Sequence, residues 1–205
     1  IAVVDDRYVG HLYYRKKLRD TDIRYLLRED EAPFTPAANK RETGSFLDCA
    51  HMEYPETGMG DYRESAVCIR SMSGHRASEI RYEGYEIVQG KPALEGLPAT
   101  WAQDSQCGTL KIFCRDSLSG MKITLLYSVF EGLDALTRSV IIENEGTEPF
   151  YIEKVLSACL DMDDRDFEMM SLAGSWGRER RIQRRPLGYG RQNVASFRGE
   201  TSHQE

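Results

Sequence analysis

The residues best equipped for chemistry in this chain are a tryptophan, a run of arginines and a large stock of carboxylates. Trp176 sits between Ser175 and Gly177, and six arginines follow within the next fifteen positions: Arg178, Arg180, Arg181, Arg184, Arg185 and Arg191. An indole stacks on the apolar face of a sugar or anchors another chain. A guanidinium is always charged and carries five donors, so each arginine requires a carboxylate, a carbonyl or a polar ligand opposite it. In an extended backbone Arg178, Arg180, Ile182 and Arg184 share one face, and Glu179, Arg181, Gln183 and Arg185 the other. Neither face is apolar. The segment is therefore an exposed edge strand blunted by charge, or a docking surface with Trp176 at its tip; the residues alone leave both open.

The remaining candidates are weaker. Asp161, Asp163, Asp164 and Asp166 crowd together but lack the central glycine and closing glutamate of a calcium loop, and read as a solvated acidic turn. The four histidines (His11, His51, His75, His203) follow neither HxH nor HExxH spacing, and the cysteines contain no CxxC pair, so no metal site is expected. No glycine-rich phosphate loop and no GxSxG elbow occurs, and no cofactor is expected. Carboxylates number 33, yet no two stand out as the spaced pair that glycoside hydrolysis needs. Asp61-Tyr62-Arg63, after Gly58-Met59-Gly60, reads as a turn whose aspartate caps backbone amides. Trp101 reads as the packed start of a strand. Asp30, between Glu29 and Glu31, is by itself one charge among many. A mutarotase-like enzyme would require a His/Glu acid–base pair in a sheet cleft, and His11, His51 and His75 carry no motif for it.

These residues must be held by strands. The chain has 205 residues, 40% apolar and 29% charged, enough to bury one sizeable core. A net charge of -6 speaks against a nucleic-acid partner. No apolar run reaches the length of a membrane span and no signal-peptide pattern opens the chain, so neither membrane insertion nor export is expected. Five scattered cysteines read as reduced core thiols in a cytoplasmic protein. Strand patterns cover 1–4, 8–14, 65–71, 80–88, 109–115, 121–130, 136–143, 150–160, 167–172 and 176–184, with turns at Asp5-Asp6, Ser73-Gly74, 117–120 and 144–149. Residues 15–30 form a short helix or a connector. In 121–130, Met121, Ile123, Leu125, Tyr127 and Val129 share one face, and only Leu126 breaks the alternation. The pattern predicts an all-β fold of antiparallel strands in two large sheets, with few short helices. The opening Ile-Ala-Val-Val and the closing Ser-His-Gln-Glu give the expectation of a piece cut from a longer polypeptide.

Seven stretches taken together resemble one family: GHLYYRKKL (10–18), EYPETGMGDYRESA (53–66), GKPALEGLPATW (90–101), LTRSVIIENEG (136–146), LSACLDMDDRDFE (156–168), GSWGRERRIQRRPL (174–187) and RGETSHQ (198–204). In order and spacing they are similar to the N-terminal domain of bacterial α-galactosidases of glycoside hydrolase family 36. The resemblance covers essentially the whole chain. It implies that residues 1–205 are one large β-supersandwich of the galactose-mutarotase type. It further implies a catalytic (β/α)8 barrel and a small C-terminal β-domain outside this chain. Both catalytic aspartates belong to that barrel, so this chain alone is expected to be inactive and to hold no catalytic residue. The domain is implied to support assembly of a homotetramer. It is also implied to lend two residues to the galactose subsite: Trp176, within Ser-Trp-Gly-Arg-Glu-Arg, and Asp30, in the loop before Phe34-Thr35-Pro36, with Glu29 or Glu31 as the alternative carboxylate. A carboxylate accepting sugar hydroxyls beside an indole on the ring face is sound chemistry. The expected substrates are terminal α-galactosides such as melibiose and raffinose. The competing expectation is a free-standing carbohydrate-binding β-sandwich with Trp176 as its platform.

Overall fold

The computed structural model describes residues 1–195 except Arg15, Asp20, 28–49, 58–62, 97–98 and Trp176. It separates into two compact units, Ile1–Asp161 and Met162–Glu205. Among the described residues every strand pairing is antiparallel, and the only helical turns are two three-residue 3-10 segments, Arg24–Leu26 and Asp104–Gln106. The fold is all-β.

The first unit is built on a four-stranded meander: β4 (Ile80–Gln89), β5 (Cys107–Asp116), β6 (Met121–Phe130) and β7 (Ala135–Asn144), in that order across the sheet. Alternation in β6 explains its central place. Met121, Ile123, Leu125 and Tyr127 line one face and are nearly or wholly buried, and burying such side chains contributes about 1.5–3 kcal/mol each. Val129, at the end of that row, is 52% exposed. Leu126, the residue that breaks the alternation, is buried on the opposite face. There Thr109 and Ser128 share a hydroxyl hydrogen bond of 2.8 Å, and Thr109 Oγ1 donates to the Gly90 carbonyl at 2.7 Å. The chain after β4 thus folds back over the second face, which satisfies the polar groups it buries.

The layer packed on the first face differs from expectation. In place of a second large sheet it consists, among the described residues, of two short ribbons. One pairs β1 (Ala2–Val4) with β2 (Tyr8–Gly10), turning at Asp5 and Asp6. Both aspartates have positive φ (51° and 54°), which short polar side chains tolerate. The other pairs β3 (Val67–Ser71) with β8 (Phe150–Val155) and carries a register shift at Cys68/Ile69. Val9, Tyr54, Ala66, Val67 and Ile69 from this layer meet Ile112, Cys114, Ile123 and Leu125 of the meander in one core. A second cluster, Val4, Tyr8, Ala50 and Met52 with Leu27 against it, anchors the segment entering and the segment leaving 28–49.

The second unit contains one ribbon, β9 (Glu168–Ala173) with β10 (Arg181–Pro186). All six residues of β10 are exposed, as a strand polar on both faces requires. Ile182 faces Leu172 across the ribbon, and Arg184 faces Met170 and bonds Glu168 Oε2 at 3.4 Å.

Candidate functional site

The residues that carry the family resemblance come from distant parts of the chain, and several of them converge in the first unit. Glu53 lies two residues before Pro55 in an irregular stretch, 3% exposed. Its carboxylate receives three partners. His11 Nδ1 is 2.7 Å from Oε1, while the Tyr127 hydroxyl at 2.6 Å and Arg138 Nη1 at 2.8 Å both donate to Oε2. The Arg138 guanidinium also lies 4.0 Å above the Tyr127 ring, a stacking contact in which the π face balances part of the charge.

Register explains how Arg138 arrives there. Tyr127 and Arg138 are direct partners in the β6–β7 ladder, so both point to the core-facing side. On β7 that side reads Leu136, Arg138, Val140, Ile142. An arginine in an apolar row must find a carboxylate, because an unpaired buried charge is costly. Glu53 is that carboxylate. Burial alone would raise its pKa, but the hydrogen bonds from His11 and Tyr127 and the charge of Arg138 outweigh burial and hold the carboxyl below its ordinary value. Burial and the adjacent Glu53 charge push the Tyr127 phenol well above its usual range.

A second knot lies nearby in the same layer. Asp161 Oδ2 pairs with Arg63 Nη1 and accepts the Met52 amide at 3.4 Å, while the Cys159 thiol lies 3.7 Å from Oδ1. The Tyr54 hydroxyl donates to the Leu156 carbonyl at 2.9 Å. Residues 52–54 are therefore held from both sides: Glu53 by the meander and by His11, Met52 by the start of the acidic run. Asp161 corrects one expectation. Its side chain is 26% exposed and ion-paired, because Arg63 needs a partner, whereas Asp163, Asp164 and Asp166 are exposed.

Two other expectations are placed by the structure. Trp101 is 78% exposed, not packed. It precedes the 3-10 turn at Asp104–Gln106 and not a strand, so no sheet partner covers it. A His/Glu pair does exist, His11 with Glu53, which the spacing of neither residue disclosed. It is no acid–base pair in a cleft: the side chains are 9% and 4% exposed, and Glu53 is already committed to Tyr127 and Arg138. Asp30, Glu29, Glu31 and Trp176 lie outside the described residues. The described neighbours of Trp176 are turned sharply, Gly174 and Gly177 having φ of 151° and 78° and Arg180 a φ of 59°. Glu179 accepts the Gly177 amide at 2.7 Å within that turn. Among the described residues no group of three or more His, Cys, Asp or Glu side chains is arranged to hold a metal ion, and no helix is long and apolar enough to cross a membrane.

What this arrangement does is mechanical. It ties the backbone at 9–11 to 51–53 and holds Arg63 and Asp161 against that stretch. One surface is left open: Tyr85, Ile87, Val129 and Leu136 lie on the core-facing side of the meander, yet are 64%, 71%, 52% and 38% exposed.

Comparison with known proteins places this geometry. The family model described as the glycosyl hydrolase family 36 N-terminal domain matches residues 7–205. The bifunctional α-galactosidase/sucrose kinase AgaSK of Mediterraneibacter gnavus is 38% identical over 96% of this chain. The α-galactosidase AgaA of Geobacillus stearothermophilus is 38% identical over 97% of it. The chain spans only 21% and 27% of the lengths of these two relatives. The crystal structure of AgaA superposes with a TM-score of 0.90 at 34% identity, covering 99% of this chain and 28% of that one. An AgaA variant solved in complex with raffinose superposes equally well, with a TM-score of 0.90. The chain belongs to the glycosyl hydrolase family 36 N-terminal domain family.

Proposed function

We propose that residues 1–205 form the N-terminal, non-catalytic β-supersandwich domain of a longer α-galactosidase that removes terminal α-galactose from oligosaccharides such as melibiose and raffinose. The observation that carries this reading is the family match over residues 7–205 together with relatives several times longer than the chain. In this reading the domain lends Trp176 and Asp30 to the galactose subsite, the indole against the sugar's apolar face and the carboxylate on its hydroxyls. The catalytic barrel supplies the nucleophile and the acid/base. The domain also joins copies of the enzyme into a homo-oligomer, expected to be a tetramer. Support for a docking role comes from the exposed apolar row Tyr85, Ile87, Val129 and Leu136 and from the arginine-rich β9–β10 ribbon. The four described cysteines are free thiols, in keeping with a cytoplasmic enzyme.

The test is substrate kinetics on the full-length polypeptide that contains this chain. Trp176→Ala and Asp30→Asn are each expected to raise KM for an α-galactoside at least tenfold, equal to about 1.4 kcal/mol of binding, with the fold retained. Unchanged KM in both variants would refute the subsite assignment.

A further inference from the structure

Two carboxylates from distant parts of the chain hold neighbouring amides at the head of β4. Glu56, 8% exposed, accepts the Ile80 amide at 2.6 Å. Asp116, fully buried at the end of β5, accepts the Glu79 amide at 2.8 Å. Asp116 is also engaged by the amides of Leu118 and Ser119, at 3.1 and 3.3 Å, and by the Ser119 hydroxyl. Four donors occupy its oxygens. Next to Glu56, the Thr57 carbonyl takes both the amide and the hydroxyl of Ser78 at 3.3 Å, so residues 56–57 are clamped to 78–80 at consecutive positions.

The positive charge near Glu56 comes from two arginines, one on β4 and one on the first hairpin. Arg81 is the nearest described cation on β4. It pairs with Glu79, lies 4.6 Å over the Tyr8 ring, and leaves its buried Nη1 without a hydrogen-bond partner. The other groups around Glu56 are Arg7 and Tyr8 of the first hairpin, Tyr54 of its own segment, Tyr82 of β4 and Cys114 of β5; with Ile80, Ile123 and Leu125 they line a small cavity of about 30 Å³. Thiol and phenols add no charge there at neutral pH.

We propose that buried Glu56 carries a proton in the folded chain, and that its loss loosens the clamp between residues 56–57 and the head of β4. A protonated carboxyl still accepts the Ile80 amide, whereas an ionised one adds a second buried negative charge beside Asp116. Burial first, and then the Asp116 charge, lift Glu56 from 4.5 to about 7, against the opposing pull of the Ile80 amide and Arg81. The folded value is raised, so the clamp's stabilisation is complete below about 4.5, falls as pH rises through about 7, and levels off above it. Between pH 6 and pH 7.5 these two values make local opening about eightfold more frequent.

The measurement is amide hydrogen exchange at Glu79 and Ile80, corrected for intrinsic exchange, in the wild-type chain and in Glu56→Gln, with a ¹³C titration of the Glu56 carboxyl. The glutamine stands for the protonated state. Wild-type protection at Ile80 is expected to fall about eightfold between pH 6 and pH 7.5, to stay flat in Glu56→Gln, and the carboxyl is expected to titrate near 7. A carboxyl midpoint near 4.5, or the same pH slope in both proteins, overturns the proposal. Should Glu56→Gln not fold, the wild-type carboxyl titration decides alone. None of these readouts depends on galactoside binding, so they stand or fall separately from the proposed function.

Discussion

Arg138 presents one nitrogen to Glu53 at 2.8 Å and its face to the Tyr127 ring at 4.0 Å, and it does so from a row of apolar side chains on β7. Its remaining nitrogens, Nε and Nη2, have no hydrogen-bond partner. The pair joins positions 85 residues apart and ties the irregular 52–54 stretch to the most regular sheet of the fold. Removing one member of a buried ion pair strands the other. Glu53→Gln is therefore expected to cost about 3–5 kcal/mol in urea unfolding. Glu53→Gln combined with Arg138→Met is expected to cost clearly less than the sum of the two single changes. Additive costs would show that the contact carries no coupling.

Asp161 differs from its acidic neighbours in its buried partners, and stability should follow that difference. Asp161→Asn weakens the Arg63 pair and the Met52 amide contact, both partly buried, and is expected to lower stability by about 1–2 kcal/mol. Asp164→Asn, at an exposed position, is expected to stay within about 0.5 kcal/mol. Thermal unfolding of the two variants checks the contrast.

The β5–β6 hairpin tip and the turn between β7 and β8 meet backbone to backbone. The Glu145 amide donates to the Gly120 carbonyl at 3.1 Å. A Cβ on Gly146 would sit 2.3 Å from the Ser119 carbonyl oxygen, and one on Gly84 would meet nothing within 4 Å. Gly146→Ala is expected to destabilise by about 1–3 kcal/mol, while Gly84→Ala, within β4, is neutral or slightly stabilising. Equal effects at both positions, read from denaturant midpoints, would contradict the close approach of the two turns.

Thiol reactivity should follow burial. Burial, with minor help from Glu83 and Glu56, pushes the Cys114 thiol up to about 12, and Cys107 is 1% exposed. Both are expected to resist iodoacetamide at pH 8 in the folded chain and to react only on unfolding, while among the described cysteines the half-buried Cys68 reacts first. Mass spectrometry of partially alkylated protein reads the order directly.

Much of this fold was legible in the residues. The Met121–Phe130 alternation, the turn at 117–120 and the Asn-Glu-Gly turn at 144–146 locate β5, β6 and β7 closely, because period-two burial and turn chemistry are local properties. The second layer was not legible as ribbons, since β3 pairs with β8 across some eighty residues and strand length depends on that partner. His11, Glu53 and Arg138 escaped for the same reason: their contacts span 42 and 85 positions and follow no spacing rule. One signal was present. Arg138 occupies the apolar face of a well-patterned strand, and such a charge implies a buried carboxylate elsewhere. Trp101 shows the reverse failure, an aromatic whose type suggests burial and whose surroundings leave it bare.

Hydrolysis of p-nitrophenyl-α-galactoside, measured in parallel on the 205-residue chain and on the longer polypeptide proposed to contain it, is the decisive test. No turnover by the chain alone and robust turnover by the full-length protein are expected. Turnover by the 205-residue chain, or none by the full-length protein, would contradict the proposed function.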